Sequence, residues 1–215
     1  MSPELTQFFK SAPTPELAKQ LLGCRIRYET PAGELSGFIV ETEAYVGPKD
    51  AAAHAFAGRR THRNEALYGE PGTIYMFQSR QYVLLNFITQ AAEVPEGILI
   101  RGVQPENGLD LMYQNRAVKG PSLTNGPGKL TQAFGMTLAL NQKGLNEDAL
   151  SLELPAAAYP KQIATSARIG VPNKGEWTDA PLRYFVAGNP YVSKITKKTI
   201  DTETLGWRVD PAERN

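Results

Sequence analysis

The chain has 215 residues, 23 Lys and Arg against 22 Asp and Glu, and a formal net charge of +1. That length suits one domain with a sizeable core, and 41% hydrophobic against 21% charged residues excludes a disordered chain. A lone cysteine, Cys24, excludes an intramolecular disulfide framework, two histidines exclude a zinc finger of ordinary ligand count, and the near-zero charge excludes a histone-like or tail-driven nucleic-acid binder.

The opening MSPELTQFFKSA has no positive segment followed by an apolar one, so it does not read as a secretory signal. No stretch approaches the roughly 20 apolar residues that span a bilayer. A protein that is not secreted and makes no membrane contact is expected, cytoplasmic in a bacterium or nuclear in a eukaryote. A helix is predicted over Pro15–Leu22, with Thr14 as N-cap, Pro15 at N1 and Gly23 as its stop. From Cys24 to Thr30, apolar Cys24, Ile26 and Tyr28 alternate with Arg25, Arg27 and Glu29, the pattern of a half-buried strand. Pro31–Glu34 reads as a hairpin turn and Leu35–Val46 as the returning strand. A second hairpin is predicted from Thr73–Phe77 and Tyr82–Phe87 around the tip Gln78-Ser79-Arg80-Gln81. Further elements are a strand at Ile98–Val103, helices at Gly108–Arg116 and Lys129–Phe134, and a strand at Leu182–Ala187. Short connections imply antiparallel pairing, because parallel strands need long crossovers. With no linker in view, the expected fold is α+β: residues 1–215 as a single domain with a curved, mostly antiparallel sheet, a protruding hairpin and surrounding helices.

The chemistry concentrates on Phe38–Tyr45. Alternation puts Phe38, Val40, Thr42 and Ala44 on one face, expected to pack on the core, and Ile39, Glu41, Glu43 and Tyr45 on the other. In a regular strand successive members of that face lie about 6.6 Å apart. Two carboxylates so placed raise each other's pKa if partly buried, which suits acid–base work in a cleft. A solvated face of an edge strand would read the same way. Beyond Gly47-Pro48, a short turn leads from Asp50 to His54, and Gly58–Asn64 is basic without an acid.

At this point the motifs VETEAYVGPKDAAAH (Val40–His54), GRRTHRN (Gly58–Asn64), PGTIYMF (Pro71–Phe77), ILIRGVQP (Ile98–Pro105), NGPGKLTQAFG (Asn125–Gly135), ARIGV (Ala167–Val171) and GEWTDAPLRYFVAGNPYVS (Gly175–Ser193) can be taken together. In this order the chain resembles the alkyladenine (3-methyladenine) DNA glycosylases of the mammalian type, over most of its length. The resemblance implies a monofunctional hydrolase of base excision repair. It would flip an alkylated or deaminated purine out of double-stranded DNA, cut the N-glycosidic bond and leave an abasic site, with no cofactor and as a monomer.

Carried over by position, the resemblance makes Glu43 the base that activates the attacking water. Arg101 and the backbone carbonyl of Ile169 would help hold that water, and Glu41 has a structural part only. An ion pair of Arg101 with Glu41 or Glu43 is compatible with that task. Tyr45, His54 and Phe77 fall on positions that stack on or contact the extruded base, with Phe77 in place of the family's usual tyrosine. Asn86 falls where an asparagine blocks the 2-amino group of guanine, and an amide inside the apolar run Leu84–Ile88 is otherwise costly. The intercalating wedge is left between alternatives. Counting from Pro71 gives Arg80, counting back from Asn86 gives Ser79, and Tyr82 is the nearby aromatic. Arg59 and Arg60 are candidate DNA backbone contacts. Lys129 in Gly126-Pro127-Gly128-Lys129 either meets a phosphate or simply starts a helix. Metal binding finds no ligand spacing to support it. The alternative is a non-catalytic nucleic-acid-binding module on the same fold.

Charge is also unevenly spread. Arg59, Arg60 and Arg63 form one acid-free block, and Leu111–Asn146 carries Arg116, Lys119, Lys129 and Lys143 without an acid. A third block holds Arg183, Lys194, Lys197 and Lys198. A net of +1 is therefore compatible with a DNA-facing surface if these stretches converge.

Overall fold

A computed structural model describes residues 3–209. Eight strands form one sheet in which every named pair is antiparallel. The main path runs β3 (Ile74–Ser79), β4 (Tyr82–Thr89), β5 (Glu96–Asn107), β2 (Gly33–Tyr45), β1 (Arg25–Thr30) and β6 (Leu150–Glu153). Strand β8 (Arg183–Val186) pairs with β2 and with β7 (Ile163–Ser166). Among the described residues four α-helices accompany the sheet: α1 (Pro3–Lys10), α2 (Thr14–Gln20), α3 (Leu109–Asn115) and α4 (Pro127–Phe134). This is the α+β architecture expected from the strand-rich pattern with short turns.

The differences from expectation are local. Helix α2 starts at Thr14 behind an N-cap at Pro13 that offers no side-chain oxygen, so Thr14 is not its cap. The Thr14 hydroxyl instead bonds Thr89 at 2.7 Å and Glu96 at 2.6 Å, tying α2 to the end of β4 and the start of β5. Gly23 does follow the helix, at φ 91°. A Cβ there would fall 1.8 Å from the carbonyl oxygen of Ala158, so that approach requires glycine. Helix α1 and strands β6 and β7 went unread. The alternating burial of β6 (Leu150 and Leu152 in) and the Leu5 and Phe9 spacing of α1 are real but short signals.

Strand β2 is not an edge. It lies between β5 on one side and β1 followed by β8 on the other. Both of its edges are therefore hydrogen-bonded to neighbouring strands. Val40, Thr42 and Ala44 enter the main core as expected, and the Thr42 hydroxyl donates to the carbonyl of Ala18 at 2.8 Å to seat α2. Phe38 departs from that face's burial and stays half-exposed between Arg25 and Trp207. Ile39, Glu41 and Glu43 on the other face are also fully buried. The solvated-face reading thus fails, because Ile169 beyond β7 and Ser193 beyond β8 close over Glu43 and Glu41.

The pairing of β2 with β5 is interrupted by register shifts between Ile39 and Glu41 and between Glu41 and Thr42. Val40 on β2 and Arg101 on β5 are the residues passed over. Bulges re-aim side chains beside functional sites. Here the second shift sets the Arg101 side chain between the two carboxylates of β2.

Candidate active site

The register builds a row across the sheet: Tyr75 on β3 faces Asn86 on β4, Asn86 faces Leu99 on β5, and Leu99 faces Glu43 on β2. Paired residues present their side chains to the same face. On opposite sides of that row, Phe77 faces Leu84 and Tyr45 faces Gly97. A Cβ on Gly97 would crowd the Ile88 side chain at 3.2 Å and the Phe87 carbonyl oxygen at 3.3 Å.

Above these rows lies a cavity of about 210 Å³, lined by Tyr45, His54, Tyr75, Phe77, Leu84, Asn86, Leu99 and the loop from Gly170 to Lys174. It is smaller than the roughly 300–1,000 Å³ of sites for drug-sized ligands, and mostly apolar walls suit one flat heterocycle. His54 and Phe77 touch with ring centroids 4.1 Å apart. The His54 Nδ1 meets the Tyr75 hydroxyl at 2.9 Å. Enclosure by these walls lowers the His54 pKa, and Arg59 and Arg63 lower it further, so the ring is neutral at pH 7. The Asn86 amide donates to the carbonyls of Tyr75 (3.0 Å) and Leu84 (3.2 Å), which fixes the side chain at the cavity wall. Those two carbonyls answer the cost of an amide in an apolar strand.

Glu43 is fully buried and adjoins the cavity through two lining residues, Tyr45, which bonds it, and Leu99, its partner on β5. Its Oε1 accepts the backbone N–H of Ile169 at 2.7 Å and lies 3.3 Å from Arg101, and its Oε2 accepts the Tyr45 hydroxyl at 3.0 Å. Burial raises the Glu43 pKa above the usual carboxylate range; Arg101, the Ile169 N–H and the Tyr45 hydroxyl pull against it and do not cancel it. The Tyr45 phenol is pushed up by burial and by Glu43, so it remains a donor at neutral pH. Arg101 stays charged: burial opposes its charge, but Glu43 and Glu41 together outweigh that cost.

Glu41 is fully committed. It binds Arg101 Nε at 3.1 Å, Arg183 Nε at 2.6 Å, and the Ser193 N–H and hydroxyl at 2.6–2.7 Å. Two carboxylates and two guanidiniums thus balance in one buried cluster, and among them Glu43 is the one next to the cavity-lining residues. This matches a structural part for Glu41 and the ion pairing considered for Arg101.

The remaining sequence candidates fall in different places. Arg80 sits exposed at the hairpin tip with φ 54°, beyond the closing pair Ser79 and Tyr82. Tyr82 is laid against α4, where a Cβ on Gly128 would lie 2.6 Å from its Cγ. Lys129 in the first turn of α4 donates to Asn125 at 2.7 Å. Arg60 is held at 2.5 Å by both Glu65 and Glu93 and stacks 4.3 Å from Tyr68. The acid-free block is therefore not acid-free in space. Arg59 and Arg63 instead line a second cavity of about 380 Å³ that shares His54, Phe77 and Lys174 with the first.

Residues missed in sequence include Tyr75 and the loop carrying Lys174. Phe77 was singled out by resemblance, and the period of two of its strand puts Tyr75 on the same face. Nothing local pointed to Lys174. Arg168 was also missed. It pairs with Asp50 through two contacts, 2.5 and 2.9 Å, and lies 4.6 Å over the Tyr45 ring.

Residues 7–190 match the model of the methylpurine-DNA glycosylase family. A candidate 3-methyladenine DNA glycosylase of Lactiplantibacillus plantarum is 52% identical over 203 residues, 94% of this chain and 97% of the relative. One from Staphylococcus saprophyticus is 47% identical over 201 residues, covering 94% and 99%. One from Enterococcus faecalis is 43% identical over 213 residues, covering 99% and 93%.

Proposed function

The chain belongs to the methylpurine-DNA glycosylase family, a DNA glycosylase and so a hydrolase of N-glycosyl bonds, and from that premise we propose that it excises flipped purines with a water activated by Glu43. The observation that carries this reading is Glu43 itself: a buried carboxylate with a raised pKa, held by Arg101 and the Ile169 N–H beside a base-sized cavity. Desolvation makes an ionised carboxylate a stronger base, and its charge stabilises the oxocarbenium-like sugar as the bond breaks. Arg101 favours the ionised carboxylate against the effect of burial. The Ile169 carbonyl, on the same residue whose N–H reaches Glu43, is a third holder of the water.

The extruded base stacks on Tyr45, His54 and Phe77. With its Nδ1 taken by Tyr75, neutral His54 has Nε2 to offer the base edge. Ring faces attract an electron-poor alkylated purine by about 0.5–2 kcal/mol. Arg80, exposed at the hairpin tip, is the wedge that fills the emptied stack. Arg59 and Arg63 serve the DNA backbone in preference to Arg60, whose charge two glutamates already answer. Extrusion costs a few kcal/mol, so mispaired or damaged bases enter more readily. The protein works as a monomer in the compartment that holds the DNA.

Single-turnover assays on oligonucleotides carrying hypoxanthine, ethenoadenine, 3-methyladenine or 7-methylguanine test this directly. Release of at least one base supports the reading; salt-dependent binding with no release from any of them points to a non-catalytic module.

The same assay has a pH signature. The base must be ionised, and burial raises its pKa, so the acid limb of the rate profile is expected above the ordinary glutamate value of about 4.3. A rate constant flat down to about pH 4 would remove Glu43 from the role.

Asn86→Ala is expected to admit guanine. Its release from undamaged duplex should rise about tenfold or more relative to hypoxanthine, within the range that one pocket contact discriminates. An unchanged ratio would assign guanine exclusion elsewhere.

A further inference from the structure

We propose that the buried Arg168–Asp50 pair is a positioning device that holds the Tyr45 ring and the Ile169 N–H in register with the Glu43 carboxylate. Both side chains are completely enclosed. Arg168 NH1 donates to Asp50 Oδ2 at 2.5 Å and to the Ala44 carbonyl at 3.0 Å, and NH2 donates to Asp50 Oδ1 at 2.9 Å. Asp50 in turn accepts the N–H groups of Val46 (3.3 Å) and Ala52 (2.9 Å). One ion pair thus joins the end of β2, the turn that leads to His54, and the segment that bears Ile169.

Two consequences reach the reacting groups. The guanidinium covers one face of Tyr45 and leaves the rest of the ring to the cavity. Ile169 is the next residue in the chain, so any displacement of Arg168 moves the N–H that binds Glu43. Energetics point the same way. A buried ion pair is often no more stabilising than apolar residues of equal volume. Moreover, the Arg168 Nε is a buried donor with no partner among the described residues. Such an unsatisfied donor is tolerated where geometry matters more than stability.

The test is Arg168→Lys, which keeps a cation beside Asp50 but loses the planar fork and the stack. This inference rests on Glu43 as the base, and two readouts separate the claims. The single-turnover rate should fall about 10- to 100-fold, the scale of a small misplacement, while affinity for undamaged duplex stays within about twofold. The acid limb should also move to higher pH, because the Ile169 N–H favours the ionised carboxylate. Of the other groups facing Glu43, Arg101 from β5 and Glu41 from its own strand are untouched and Lys keeps the cation at position 168, so a shifted limb reports on the two donors the pair positions, the Ile169 N–H and the Tyr45 hydroxyl. A variant that only melts earlier, with rate and limb unchanged well below its midpoint, would overturn the positioning role. Asp50→Asn, nearly isosteric but left with one acceptor oxygen in place of two, gives the same comparison if Arg168→Lys fails to melt cooperatively. A parent protein with no acid limb would instead count against Glu43.

Discussion

Glu43→Gln is expected to lower single-turnover base release by about 10³-fold or more and to leave the fold intact. A positioned general base contributes about 10²–10⁴-fold, and the lost charge no longer stabilises the developing cation on the sugar. The amide can still accept the Ile169 N–H and still meet the Tyr45 hydroxyl, so the local geometry survives. Stability should not fall. A carboxylate whose folded pKa is raised destabilises the fold as pH climbs past its unfolded value, and the neutral amide escapes that penalty. At pH 7 the variant should therefore melt at or above the parent temperature and bind lesion duplex with comparable affinity. Release at the parental rate would exclude Glu43 as the base.

Arg101→Met should have the largest combined effect. The guanidinium is 3.1 Å from Glu41 and 3.3 Å from Glu43, both fully buried. Removing one member of a buried, hydrogen-bonded charge cluster costs about 3–5 kcal/mol. Arg183 and Ser193 still serve Glu41, so the lower end applies. Glu43 loses its only ion-pair partner among the described residues and its pKa rises further. The acid limb should then move toward neutral pH, and release at pH 7 should fall about 10²-fold. Urea unfolding and a pH series on the surviving folded protein measure the two losses separately. Full activity at pH 7 with reduced stability would confine Arg101 to a structural part.

How much of this was legible in the residues varies by element. The β1–β2 hairpin and the β3–β4 hairpin were readable because alternation and turn chemistry are short-range properties. Boundaries moved by a few residues where tertiary contacts intervened, as at Thr14, whose hydroxyl serves β4 and β5 and not its own helix. Helix α1 has only Leu5 and Phe9 to bury, too few positions for a convincing period. Within the site, Glu43, Tyr45, His54, Phe77 and Asn86 were all singled out in sequence, and the structure brings them to one cavity and its buried border. Arg60 shows the converse. Its neutralising partner Glu93 is 33 positions away, and no window of sequence displays that pairing.

By itself the sequence determined the composition class, the antiparallel hairpins and which residue types stand two apart on a strand, since these follow from covalent spacing and local backbone preference. Near-zero net charge left open how the basic residues are used. Only the tertiary structure decided that. It paired Arg60 with Glu65 and Glu93, placed Arg59 and Arg63 beside the cavity, and buried Arg101, Arg168 and Arg183 against carboxylates. It also gave the two glutamates different surroundings. Glu41 and Glu43 are equivalent in the alternation of one strand, but the β5 register shift and the packing of β8 surround Glu41 with partners and leave Glu43 beside the cavity. The reason is physical: desolvation and charge pairing depend on distances in space, and those are set by segments that lie far apart in the chain.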